Sequence, residues 1–89
     1  MSLPFSLAEV RKVTFFKRDE LTTDLICCDV EVASGDNIEV WFNHEEEPTW
    51  QGWLDELSTL QGFDSDWYSK VYLPPFAPSV TIAYECPVA

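Results

Sequence analysis

From Glu9 to Phe16 the residues Val10, Val13, Phe15 and Phe16 stand among polar neighbours, the pattern of a half-buried strand. The charged cluster Lys17, Arg18, Asp19, Glu20 after it reads as a hairpin turn. A second strand is predicted over 21–32, where Ile26, Cys28, Val30 and Val32 share one face and Asp29 and Glu31 the other. A third follows the turn residues Ser34, Gly35, Asp36 and Asn37, with Ile38, Val40 and Phe42 alternating against Glu39, Trp41 and Asn43. A three-residue loop Gly35, Asp36, Asn37 would place asparagine at the left-handed position and set Val32 against Val40, Val30 against Phe42 and Cys28 against His44. The competing loop Ser34 to Asp36 would set Glu31 opposite Glu39, which like charges disfavour.

The period then changes. Trp50, Trp53, Leu54, Leu57 and Leu60 form one helical stripe, which predicts a helix from Pro48 to Gln61. Glu45, Glu46 and Glu47 suit its positive end, and Gly62 its left-handed stop, with Phe63 folding back on Leu57. Asp64 caps a short second helix carrying Trp67, Tyr68 and Val71, which Pro74 and Pro75 end before an extended linker, Phe76 to Pro78. Ser79 to Glu85 alternates Val80, Ile82 and Tyr84 against Thr81, Ala83 and Glu85, a fourth strand whose partner the pattern leaves open. The order βββααβ predicts an α+β fold, an antiparallel sheet of about four strands with one face covered by one or two helices. The helix stripe is expected against the face carrying Val30, Val40 and Phe42. The 89 residues, 46% of them hydrophobic and 15% aromatic, make a single domain at 1–89 that can bury a modest core.

Charge narrows the class of partner. Sixteen acidic against five basic residues give a net charge of -11, which opposes contact with nucleic-acid phosphates and favours encounter with a basic protein. Arg11, Lys12, Lys17 and Arg18 are four of the five bases, and their nearest acids, Asp19, Glu20 and Asp24, balance them better than an anionic membrane would. No apolar run is long enough to span a membrane, and the first residues lack the basic and apolar regions of a signal peptide. Three cysteines, two of them adjacent, make a poor disulfide framework and point to three thiols in a reducing, cytoplasmic compartment.

No complete catalytic or cofactor-binding constellation is visible. His44 is the single histidine, and its expected neighbour Cys28 is the minimum for an activated thiolate, without an orienting third group. Cys27 and Cys28 point to opposite faces of a strand, and the run His44 to Glu47 has no metal-loop spacing, so no metal is expected. Gly35, Gly52 and Gly62 are too scattered for a phosphate loop, and no cofactor is expected. The outer face of the sheet is the stronger feature. Trp41 is expected there among Glu39, Glu31 and Asn43, with Leu25, Phe16 and Cys27 on the same side unless Leu3, Phe5 and Leu7 fold over them. Apolar surface rimmed with charge is how a protein interface looks.

The second half also carries Glu45-Glu46, Trp50, Leu54, Gly62-Phe63-Asp64, Trp67, Lys70-Val71 and Pro74-Pro75-Phe76-Ala77. In these it resembles a small family of uncharacterised bacterial proteins with an acidic pair, a tryptophan-bearing helix and a Gly-Phe-Asp turn; Gln61 stands where that family would have proline. The resemblance implies a compact bacterial domain and brings no activity with it. Two functional readings follow. One is a small acidic non-enzymatic interaction module, a homodimer or an inhibitor of a basic protein, with Trp41, Leu25, Phe16, Glu39 and Glu31 at the interface. The other is a small thiol-dependent enzyme centred on Cys28 and His44.

Overall fold

A computed structural model describes residues 3–20, 23–72 and 79–86. Four antiparallel strands, β1 (Val10–Glu20), β2 (Thr23–Ser34), β3 (Asn37–His44) and β4 (Ser79–Glu85), form one sheet in the order β3-β2-β1-β4. Two helices, α1 (Trp50–Leu57) and α2 (Trp67–Tyr72), lie between β3 and β4 in the chain, so the order βββααβ and the α+β class hold. The last strand pairs with β1, which becomes an inner strand. The charged cluster Lys17 to Glu20 is not a turn: it continues β1, and Glu20 still faces Thr23 of β2. The intervening turn, like the Pro74–Pro75 stop and the linker at 76–78, lies outside the described residues.

The β2–β3 hairpin differs from expectation by one step of register, and that step decides the faces. Ser34 pairs with Asn37 across a two-residue loop, Gly35-Asp36, in which Gly35 takes a φ of 62°. Such loops need a positive φ at their first position, which glycine adopts without a Cβ clash. Val30 then lies opposite Trp41, Cys28 opposite Asn43, and Glu31 opposite Val40, so this register, midway between the two three-residue loops, also keeps Glu31 off Glu39. Because side chains alternate, a one-residue slip moves a whole strand's set to the other face. Trp41 and Asn43 therefore join the helix side, while Ile38, Val40 and Phe42 point away from it, contrary to expectation.

At the opposite edge, too, apolar residues of the strand face away from the helices. Phe16 pairs with Val80 and Thr14 with Ile82, which turns Val80 and Ile82 outward and Thr81 inward. A bulge at Ala83 then brings Tyr84 opposite Val13, and both Ala83 and Tyr84 reach the core. A second irregularity at Arg11 lets Val10 and Val13 both enter the core although they are three residues apart.

Val10, Val13, Phe15, Ile26, Cys28, Val30 and Val32 form the sheet's contribution to the core; Trp53, Leu57, Trp67 and Val71 cover them from the helices. Trp67 lies flat on Phe15, with ring centroids 3.7 Å apart and planes 11° from parallel. The predicted stripe is real, with Trp50, Leu54 and Leu60 half-buried beside Trp53 and Leu57, but the α-helix is shorter than Pro48 to Gln61. After Leu57 the chain tightens into i→i+3 turns, Leu60 N–H bonding to Leu57 O and Phe63 N–H to Leu60 O, with Gly62 at a φ of 91°. Asp64 accepts the Asp66 N–H ahead of α2 at 2.9 Å, and its own N–H bonds to Ala83 O, tying this turn to β4.

Buried Lys17 closes the far end of the core. Its ammonium donates to the carbonyl of Tyr72 at 2.6 Å and stands 3.7 Å from Asp24. A cation at a helix C-terminus satisfies a carbonyl with no helical partner and meets the negative end of the dipole. Among the described residues no helix is long and apolar enough to cross a membrane.

Candidate functional site

The five residues expected at one interface are divided by the sheet. Phe16, Leu25 and Glu31 stand on the face without helices; Trp41 and Glu39 stand on the helix side. Trp41 packs on the core, its ring 5.8 Å from that of Phe5, which in turn meets Trp53 edge-on at 5.3 Å. The N-terminal segment does fold over Trp41, as the competing expectation had it, but on the helix side. Glu39 stays exposed at the rim of a small cleft that Pro4, Phe5 and Trp41 also line.

The Cys28–His44 pair is likewise split. Cys28 points into the core opposite Asn43, and burial, with Asp29 and Cys27 adding to it, pushes its thiol well above the ordinary range. That stabilises the thiol against the nucleophilic thiolate. His44 pairs instead with Cys27 on the other face. Its Nδ1 accepts the Glu46 N–H at 3.3 Å and its Nε2 lies 3.3 Å from Glu47 Oε1, so both ring nitrogens engage the acidic loop that follows. The Cys27 thiol donates to Leu25 O at 3.7 Å. The Glu45 carboxylate accepts the Ile26 N–H at 3.2 Å while the Glu45 N–H donates to Ile26 O, tethering the chain to β2 just past the last ladder pair. Buried Asn43 accepts the His44 N–H at 2.9 Å and donates to Thr49 at 3.2 Å, fixing the approach to α1. The acids after β3 thus have local structural work. Among the described residues no group of three or more His, Cys, Asp or Glu side chains converges as metal ligands would.

What remains is the uncovered face itself. Ile38, Val40 and Phe42 on β3 and Val80 and Ile82 on β4 are 47 to 71% exposed, two apolar edges of one surface. Between them run an acidic row on β2, Asp29 and Glu31, and a row on β1 with Lys12, Thr14, Phe16 and Arg18. Phe42 anchors one corner: Phe16 lies 6.3 Å from it, His44 5.9 Å, and the Arg18 guanidinium stacks over it at 5.9 Å. Leu25 and Cys27, in register between these residues, are buried without any helix above them. The opposite end opens into a shallow depression of about 610 Å³, lined by Arg11, Lys12, Glu31, Ile38, Glu85 and Cys86 among others. Lys12 and Glu85 are 4.0 Å apart there.

The four basic residues near the first hairpin do not make one patch: Lys17 is internal, and Lys12 and Arg18 are spread along the outer row. The outward apolar residues of β3 and β4 were missed as site residues because each strand's more hydrophobic set was assigned to the core. Chain alternation alone cannot tell which face that set takes. Comparison with protein-family models, curated proteins and solved structures finds no match to this chain, so the resemblance to a bacterial family adds no argument to the site.

Proposed function

We propose that this chain is a non-enzymatic protein-interaction module that binds its partner with the uncovered face of the sheet. The observation that carries the reading is the exposure of both edge strands' apolar sets: Ile38, Val40, Phe42, Val80 and Ile82 face outward on the side without helices. An antiparallel sheet with one wet face normally shows polar residues there. Desolvating such a patch is favourable by about 25 cal/mol per Å² before association costs are subtracted. The placement of Cys28 and His44 on opposite faces of the sheet supports a reading that does not rest on that pair. The three thiols fit a reducing, cytoplasmic setting for this module.

A photo-crosslinking residue at Val40, compared with one at Tyr68 on α2, tests the reading in extract of the native cells. Adducts should form from position 40 and not from position 68. They should be competed away by excess unlabelled wild type but not by Phe42→Asp. Equal labelling from both positions, or competition by Phe42→Asp as strong as by wild type, would remove the sheet face from the function.

A further inference from the structure

We propose that the partner is a second copy of this chain, packed sheet face to sheet face about a two-fold axis parallel to the strands. The inference rests on the docking-face reading above and adds the identity of the occupant. Three rows cross the face at successive levels: Val40–Glu31–Lys12–Glu85, then Phe42–Asp29–Thr14–Ile82, then His44–Cys27–Phe16–Val80. A two-fold along the strands lays each row on itself reversed. It thereby sets β3 over the second copy's β4 and β2 over the second copy's β1. Phe42 then meets Ile82, Glu31 meets Lys12, Asp29 meets Thr14 and Cys27 meets Phe16, each contact made twice, as an isologous interface requires. The alternative two-fold, across the strands, would lay β2 with Asp29 and Glu31 on its own copy and β1 with Lys12 and Arg18 on its own copy, strands of like charge that oppose the pairing. Sheets in sandwiches cross at about 30°, a rotation that displaces the central strands least, and the charged rows lie there.

The distribution of charge supports a second copy over a basic partner. On the face itself Lys12 and Arg18 stand against Asp29, Glu31 and Glu85, close to balance. From Glu45 to Tyr72, the loop and helical layer, the chain has seven acidic residues and one base, Lys70. In the face-to-face pair those acidic layers lie on the outside, on the order of 30 Å apart, several times the Debye length of about 8 Å at physiological ionic strength. A basic partner would find its attraction on the helical layer instead of on the apolar face.

Sedimentation equilibrium of the full chain over a concentration series, with charge-reversed variants, tests the arrangement. Wild type should pass from monomer to twice the monomer mass. Lys12→Glu and Glu31→Lys should each raise the midpoint concentration by about tenfold or more. An equimolar mixture of the two should recover wild-type association, because the mixed pair restores both Glu–Lys contacts. Ile82→Asp, at an exposed position, serves as a further variant should either charge reversal fail to fold, and should also leave a monomer. A wild-type chain that stays monomeric at millimolar concentration overturns the second copy, as does a dimer indifferent to these variants or a mixture that fails to recover. Adducts from position 40 with a mass other than that of two chains would, in that event, keep the docking face while excluding self-pairing.

Discussion

Trp53 shows how much of this small core hangs on single aromatic residues. It is buried between Phe5 and the sheet, on the helix stripe that the sequence periodicity identifies. Trp53→Ala should cost about 3 to 5 kcal/mol, a large fraction of a small domain's stability, read from the urea midpoint. Asp29 is the opposite case, a residue the fold holds at a disadvantage. Burial, with the nearby Glu31 adding to it, raises its pKa from the ordinary 3.8. A carboxyl whose folded pKa is raised subtracts stability once it ionises and costs nothing at low pH, where folded and unfolded states both keep the proton. Asp29→Asn should therefore raise the melting temperature of the dilute protein near neutral pH, with the difference fading as pH falls below 3.8. An equal gain at both ends of the pH range would show that charge is not the cause. Neither the cost at Asp29 nor the burial of Lys17 is legible in the sequence, since both depend on which side chains the fold sets around them.

At the level of elements, period was legible and phase was not. The alternation over β2 identified Ile26, Cys28, Val30 and Val32 as one inward face because Asp29 and Glu31 could only be the other. β3 and β4 gave no such contrast. In β3 both alternate sets contain large apolar side chains, Val40 and Phe42 on one side and Trp41 on the other, so the turn decides the face, and one loop residue separates the two outcomes. Gly35 is where that decision is made. A Cβ added there would meet nothing within 4 Å, so Gly35→Ala is opposed only by its φ of 62°. The expected cost is about 1 kcal/mol, with Gly35→Asn milder because asparagine tolerates the left-handed region. Equal stability of wild type and Gly35→Ala in denaturant unfolding would argue for the three-residue loop instead. In β4 the Ala83 bulge, invisible to alternation, returns Tyr84 to the core after Val80 and Ile82 have faced out.

On the scale of the whole molecule, the sheet separates two surfaces of different character, an acidic helical side and a nearly balanced apolar one. The βββααβ order and α+β class were legible because they depend only on where the hydrophobic period changes. Of the residues expected together on the outer face, Phe16, Leu25 and Glu31 lie there, whereas Trp41 and Glu39 lie on the helix side and Val40, Phe42 and Ile82 face outward. The strand order has a further effect, on the way the chain reaches this state. β2 follows β1 directly in the chain, but the other neighbour of β1 comes only after both helices, when Val80 reaches Phe16 and Ile82 reaches Thr14. Closing so long a loop is the entropically slow part of assembling a β structure. Until it closes, an eleven-residue strand presents a bare row of backbone donors and acceptors. Another chain can add to such an edge, so docking of β4 also covers a row of backbone groups on β1 that strand addition could otherwise use.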